Sequence, residues 1–480
     1  MKTSKSRRSA VGRLMGAAFV AALAAAAAPT LAYGDNAPVT PPGLVKHVLV
    51  IDLENEGFST TFGPASPAVY LNKTLLSQGE LIVNYFATSH VSLGNYIAQV
   101  SGQGPTVSTN NDCINLASLS HPPVLGGFTD VTPGTDAPDQ ANNPGQVVGN
   151  GCVYPAPTST TRGAQTIGDQ LDNPAVLARQ LPPGLHWRGY AEDMGNDISR
   201  DYGDADPLGG ADCAHAPIGG DDRSNSAAAD DQYATRHNPF VYFHSVIDNV
   251  ARCDAHVVPL GHVLVGQNGA PDVFVGHLFQ DLQSASTTPQ FMFITPNLCD
   301  DGHDAFCAGP NTEGTKDANG RNIGGLVGAD LWLKHWMPMI FNSPAYRDGS
   351  LLVVLTFDES DSADARACPN TDQSTCNAPV GPNMSNYGFS QILGMFGVQT
   401  PPTQPGVYPG GGQVGAVVFN SHLIKPGAVN TTGVYDHFSA LRTYEDLLRI
   451  TEGGDDGHGH LGNAARAGVT TFGPDVFNRH

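Results

Sequence analysis

Three apolar runs constrain this chain more than any other feature, because each empties into acidic and amide residues. Residues 45–53 are interrupted only by Lys46, His47 and Asp52, and lead into Glu54 and Asn55. Residues 290–295 (QFMFIT) lead into Pro296-Asn297-Leu298-Cys299-Asp300-Asp301-Gly302-His303-Asp304. Residues 351–357 (LLVVLTF) lead into Asp358-Glu359-Ser360-Asp361. Short runs that are apolar at successive positions read as strands buried on both faces of a parallel sheet. Helix-like stretches at 330–342 and 439–450 accompany them, and strands alternating with helices predict an α/β fold whose sheet is covered on both sides.

Ligands in such folds gather beyond the carboxyl ends of the strands. Acidic residues there can serve as turn and cap residues. Three acidic clusters converging on one edge would, however, repel one another unless a cation lay between them. A nucleophile is also available. Thr88-Ser89-His90-Val91-Ser92-Leu93-Gly94-Asn95 precedes an apolar run, as at a helix N-terminus, where free N–H groups suit a phosphate. The same pattern fits an N-cap serine equally well.

The N-terminus carries an export pattern. Lys2, Lys5, Arg7, Arg8 and Arg13 precede an apolar, alanine-rich run, and Thr30-Leu31-Ala32 offers small residues for cleavage. Residues 1–32 are therefore expected to be a signal peptide, 33–44 a linker and 45–480 one catalytic domain. Loss of the five basic residues leaves 19 basic against 45 acidic, a balance of −26. A surface this acidic argues against nucleic acid or a stable membrane anchor through a basic patch. An exported protein, periplasmic or extracellular, fits its eight cysteines, which read as disulfides. Closing the shortest loops pairs 113–152, 213–253, 299–307 and 368–376. The stretch 103–235, rich in Gly, Asn, Asp, Pro and Ser, reads as long surface loops pinned by such bridges, with some helix near 164–180.

Six ordered motifs then become recognisable: HVLVIDLENEGF (47–58), SHVSLGNYIAQVSGQ (89–103), YATRHNPFVYF (233–243), ITPNLCDDGHD (294–304), LTFDESD (355–361) and YDHFSALRTYEDLL (435–448). With these the chain resembles the bacterial phosphoesterase family of secreted acid phosphatases and phospholipases C, within the alkaline-phosphatase-like superfamily. The resemblance implies a three-layer α/β/α sandwich around a mostly parallel sheet. It implies one or two divalent metal ions. Glu54 and Asn55 match a metal-meeting Glu-Asn pair, and Asp358 and Glu359 match a later acidic pair. Ser92 matches the nucleophilic hydroxyl, itself a metal neighbour, with Asn95 donating to a phosphoryl oxygen. His237, His303 and His437 match histidines near the reacting centre, and Asp301, His303 and His437 are candidates for a second ion. Gly94 stands where a proline is more usual. His458 and His460, in GGDDGHGH, read as a mobile acidic loop rather than a metal cluster.

The implied activity is hydrolysis of a phosphate ester through a phosphoserine. A phosphomonoesterase of acid phosphatase type is the leading expectation, a phospholipase C the alternative, and a non-catalytic secreted binding protein the third. The proton donor to the leaving oxygen is left open among His237, His303 and His90.

Overall fold

The computed structural model describes residues 44–113, 127–133, 143–159, 162–174, 176, 185–309, 316–361, 381–384 and 410–479. All of these belong to one compact unit, Pro38–His480. The expected signal peptide, the linker up to residue 43 and the 368–376 pair lie outside the described residues.

One large sheet organises the unit. Its strands are β1 (His47–Leu53), β2 (Glu80–Ala87), β3 (Trp187–Ala191), β4 (Val257–Pro259), β5 (Phe291–Thr295), β6 (Leu351–Phe357), β7 (Gly412–Gln413), β8 (Ala416–Phe419) and β9 (Ala428–Asp436). The order is β7-β2-β8-β6-β1-β5-β3-β4, with β9 also paired to β2. β1 lies between β6 and β5, parallel to both, and β5-β3-β4 continue parallel. β8 runs antiparallel between β6 and β2. β7 and β8 behave as one strand with a bulge, since the N–H groups of Val414 and Gly415 both reach the Tyr85 carbonyl, at 3.0 and 3.1 Å.

The register places the layers. Val48 pairs with Phe291 and Leu352, so these three side chains share one face. Leu49 pairs with Val353, and Val353 with Phe419, on the other face. Two helices cover the first face: α1 (Ser92–Ser101), whose Tyr96 ring lies 6.4 Å from Phe293, and α3 (His437–Leu447), whose Tyr444 ring lies 5.9 Å from Phe291. The second face carries α2 (Gly325–Asn342), with Phe341 5.2 Å from Phe419. The arrangement is the expected three-layer sandwich. Every residue of β1, β5 and β6 is buried, which explains their unbroken apolar runs.

Three of the expected disulfides are formed: Cys113–Cys152, Cys213–Cys253 and Cys299–Cys307, with Cα separations of 6.0, 5.4 and 4.8 Å. Among the described residues no helix is long and apolar enough to cross a membrane.

The expectation of surface loops over 103–235 is corrected in two places. The stretch supplies β3 to the sheet. Residues 103–113 are buried throughout, despite being mostly polar. Their side chains satisfy backbone groups: Gln103 and Gln146 exchange bonds with Val147 N, Gly104 N and the Gly102 and Gly145 carbonyls, and Thr106 Oγ1 donates to Gly151 O at 2.6 Å. Buried polar chain is tolerated only where its groups are paired. The 453–460 loop exposes Gly453, Asp455, Gly457 and His458 but buries its last two residues. His460 is buried, and its ring nitrogens meet Asp456 at 2.6 Å and Asp446 at 3.0 Å.

Candidate active site

Two backbone hydrogen bonds beyond the strand ladders draw the acidic clusters together. Glu54 N–H donates to the Asp301 carbonyl at 2.7 Å, and Asp358 N–H donates to the Leu53 carbonyl at 2.8 Å. The ends of β1, β5 and β6 thus share one edge. Asn55 turns the chain there in a left-handed conformation (φ 56°), which a short amide side chain tolerates. Its N–H donates to Asp358 Oδ1 at 2.8 Å, and its side-chain nitrogen faces His303 Nε2 at 3.3 Å.

α1 brings Ser92 to this edge. Ser92 is buried, and its hydroxyl lies 2.8 Å from Glu54 Oε1 and 3.3 Å from Glu359 Oε1. Glu359 also pairs through its other oxygen with His90 Nδ1. Glu54 is the hub. His237 Nε2 meets its Oε1 at 3.0 Å, His303 Nδ1 its Oε2 at 3.1 Å, and Arg236 Nη2 approaches at 4.0 Å. Burial would raise the Glu54 pKa, but His237, His303 and Arg236 together hold it well below the ordinary carboxylate range. Asp301 and Asp358 are pushed well up, first by burial and then by neighbouring carboxylates.

That asymmetry tests whether a cation fits. Glu54, His237 and Asp301 are all buried, and each offers one ligand atom within 4.8 Å of the others. Asp301 Oδ2 and Asp358 Oδ2 are buried with no hydrogen-bond partner. Orphaned carboxylate oxygens in a dry, like-charged cluster are what a divalent ion would satisfy. Burial also lowers the pKa of His237, which favours the neutral ring that a metal ligand requires. Its ring stacks on Tyr96 at 5.0 Å.

The other sequence candidates divide. His303 sits at the mouth, its side chain 44 % exposed, and the bond to Glu54 raises its pKa to about 9. His437 is fully buried instead. Its Nε2 reaches the Asp358 carbonyl at 2.7 Å and its Nδ1 the Tyr85 hydroxyl at 3.2 Å, and desolvation lowers its pKa to about 4. It braces the Asp358 backbone as a neutral ring. The Asn95 amide is engaged locally: its oxygen accepts from Thr88 N and Ser89 N at 2.9 and 2.7 Å, and its nitrogen donates to Ser89 O at 2.9 Å. In this arrangement it holds the loop before Ser92 rather than facing the pocket. Gly94 has a packing reason, since a Cβ there would lie 2.4 Å from Ser89 Oγ.

The expectation of free N–H groups at the start of α1 is modified. Leu93 N–H donates to Asp112 Oδ1 at 2.9 Å. Asp112 in turn faces Arg236 Nε at 3.8 Å, and burial raises its pKa to about 7. Asp112 and Arg236 escaped the sequence reading. Arg236 stands inside the quoted YATRHNPFVYF motif, beside His237, and an arginine next to a phosphate-ester site was the available signal.

The Cys299–Cys307 bridge encloses Asp301 and His303. The Cys299→Ser/Cys307→Ser variant is expected to stay folded while kcat/KM falls on the order of a hundredfold, because small displacements of site groups are costly. Urea denaturation run beside phosphate-ester kinetics checks this, and unchanged kcat/KM would confine the bridge to loop protection.

No protein-family model matches the chain. A phosphate-repressible acid phosphatase of Penicillium chrysogenum is 26 % identical over 304 residues, covering 63 % of this chain and 46 % of that protein. The chain therefore spans less than half the length of that relative. The match supports the phosphoesterase resemblance; the relative is fungal. Among solved structures, an alkaline phosphatase superfamily protein of Vibrio parahaemolyticus aligns with 86 % of this chain and 68 % of its own, at 11 % identity and a TM-score of 0.40. A wild-type alkaline phosphatase aligns over 91 % and 99 % at 11 % identity and 0.36. A phosphonate monoester hydrolase of Silicibacter pomeroyi aligns over 91 % and 77 % at 10 % identity and 0.31.

Proposed function

We propose that this chain is an exported phosphomonoesterase of the alkaline-phosphatase-like superfamily, with Ser92 as its nucleophile. The observation that carries the reading is the Ser92 hydroxyl held between Glu54 and Glu359 at the meeting point of three strand ends. Its similarity to an acid phosphatase supports the same reading.

Glu54, His237 and Asp301 would hold a divalent ion, with Asp358 and Glu359 beside them. When bound, the ion would lower the pKa of the serine hydroxyl and offset charge on phosphorus-bound oxygens. Ser92 Oγ gives its proton to a flanking carboxylate and attacks phosphorus in line. The P–O bond to the leaving group breaks, and the leaving oxygen takes a proton. His303 is the donor best placed for it, being protonated at neutral pH and open to solvent. Arg236 donates through Nη1 to the Asn225 carbonyl at 3.3 Å and stands 4.0 Å from Glu54 and 3.8 Å from Asp112, which leaves its Nε and Nη2 donors to face phosphoryl oxygens. Water then attacks the phosphoserine and releases phosphate.

The reading is tested by comparing p-nitrophenyl phosphate, its bis-ester and phosphatidylcholine vesicles, each with and without metal. Monoester turnover is expected to dominate. Selective vesicle hydrolysis would favour a phospholipase C, and no turnover of any would favour a binding protein. The proton donor has its own test. His303→Gln is expected to slow hydrolysis of an alkyl phosphate by about 10²–10⁴-fold, and p-nitrophenyl phosphate far less, because a good leaving group needs no proton. Equal losses on both substrates would assign His303 another role.

A further inference from the structure

The geometry points to a second metal site, beside β4 at the end of the sheet, in which Asp206, Asp212 and His277 bind a first-row divalent ion such as Zn2+. Each offers one ligand atom within 4.8 Å of the others. Two ligands about 2.0–2.2 Å from a tetrahedral ion stand about 3.4 Å apart, so small rotations suffice to fit the group around an ion.

The site is built by local structure. Asp204–Ala205 and Ala211–Asp212 pair as a two-stranded hairpin, and Asp206 N–H donates to Gly210 O at 3.1 Å. Gly210 allows the turn: its φ is 85°, and a Cβ there would lie 2.4 Å from the Met194 carbonyl. Asp206 Oδ1 accepts Leu208 N–H at 2.6 Å, which leaves Oδ2 facing His277 Nε2 at 2.8 Å. Cys213, next to Asp212, anchors the hairpin through its bridge to Cys253 and through its N–H to Val257 O at 2.8 Å.

Two observations then point to a cation. Asp212 is 8 % exposed, and its Oδ1 is buried with no hydrogen-bond partner. The charge around it is also unbalanced. Asp206 and Asp254 add negative potential at Asp212, and the nearby Arg188 is spent on Asp281 at 2.7 Å. His277 pairs with Asp206 at 2.8 Å, so two facing carboxylates share one histidine as their local counter-charge. One imidazole nitrogen with two carboxylates suits Zn2+ or its neighbours, whereas Ca2+ takes six to eight oxygens. The ion would tie the hairpin to the segment around His277, at the β4 edge of the sheet.

Metal content of the full chain, equilibrated with Zn2+ and desalted, tests this by elemental analysis. Asp206→Asn/Asp212→Asn/His277→Gln is expected to bind one equivalent fewer than wild type. Asp212→Asn alone, nearly isosteric, is expected to weaken that equivalent at least tenfold in a competition titration, so the outcome does not hinge on the triple variant folding. Asp301→Asn reports separately on the Ser92 site, and its loss or retention of metal leaves this equivalent unchanged. Equal Zn2+ content and affinity in wild type and Asp212→Asn, or binding of Ca2+ in place of Zn2+, would overturn the proposal.

Discussion

Ser92→Ala is expected to lower turnover of a phosphate monoester at least about a thousandfold, about 4 kcal/mol of barrier. The site contains one hydroxyl touching two carboxylates, Glu54 at 2.8 Å and Glu359 at 3.3 Å. Removing its oxygen removes the attacking atom while adding no bulk, so folding is expected to persist. The neighbouring hydroxyls are committed elsewhere: Thr88 Oγ1 donates to Asn95 Oδ1 at 3.3 Å, and Ser89 Oγ donates to Asn110 Oδ1 at 3.3 Å. Acid-quench trapping with a labelled substrate provides the second readout. Wild type should yield a phosphoserine peptide containing residue 92, and the variant none. Near-normal turnover in Ser92→Ala would move the nucleophile to another residue.

Removing the metal should have an effect of similar size and a second signature in protons. Asp301 and Asp358 are buried among other carboxylates, and without a cation their pKa values rise well above the usual range. A bound divalent ion reverses that by stabilising the charged forms. Chelation at neutral pH is therefore expected to abolish turnover reversibly and to be accompanied by proton uptake. Calorimetry in buffers of differing ionisation enthalpy measures the uptake directly. Glu54→Ala should bind metal poorly at this site while remaining folded, since it removes the carboxylate shared by Ser92, His237 and His303. Full activity in strong chelator, with no metal found by elemental analysis, would remove the ion from the mechanism.

Sequence patterns and structure agree best where burial is complete on both faces. β1, β5 and β6 were legible because no residue in them reaches solvent, so nothing interrupts the apolar run. β9 was not, because AVNTTGVYD pairs with β2 while only three of its nine residues are buried, and its polar positions resemble a loop. β8 has only four residues, too few to show a period. Residues 103–113 misled in the opposite sense. Their polarity implied exposure, but their side chains pair with backbone groups and the segment is buried.

The sequence by itself determined that acidic and amide residues follow three buried strands, since strand ends are local events written in adjacent residues. It also placed Ser92 at the start of a helix. What each group does there was decided by tertiary structure. His303 and His437 are the same residue type in comparable motifs, yet one is raised to about 9 and the other lowered to about 4. The difference lies in a carboxylate facing the first and complete burial of the second. Asp112 and Arg236, far apart in the chain, meet beside Ser92 only when the sheet and α1 have assembled. Protonation and charge pairing depend on through-space neighbours and on access to water, which no window of sequence encodes.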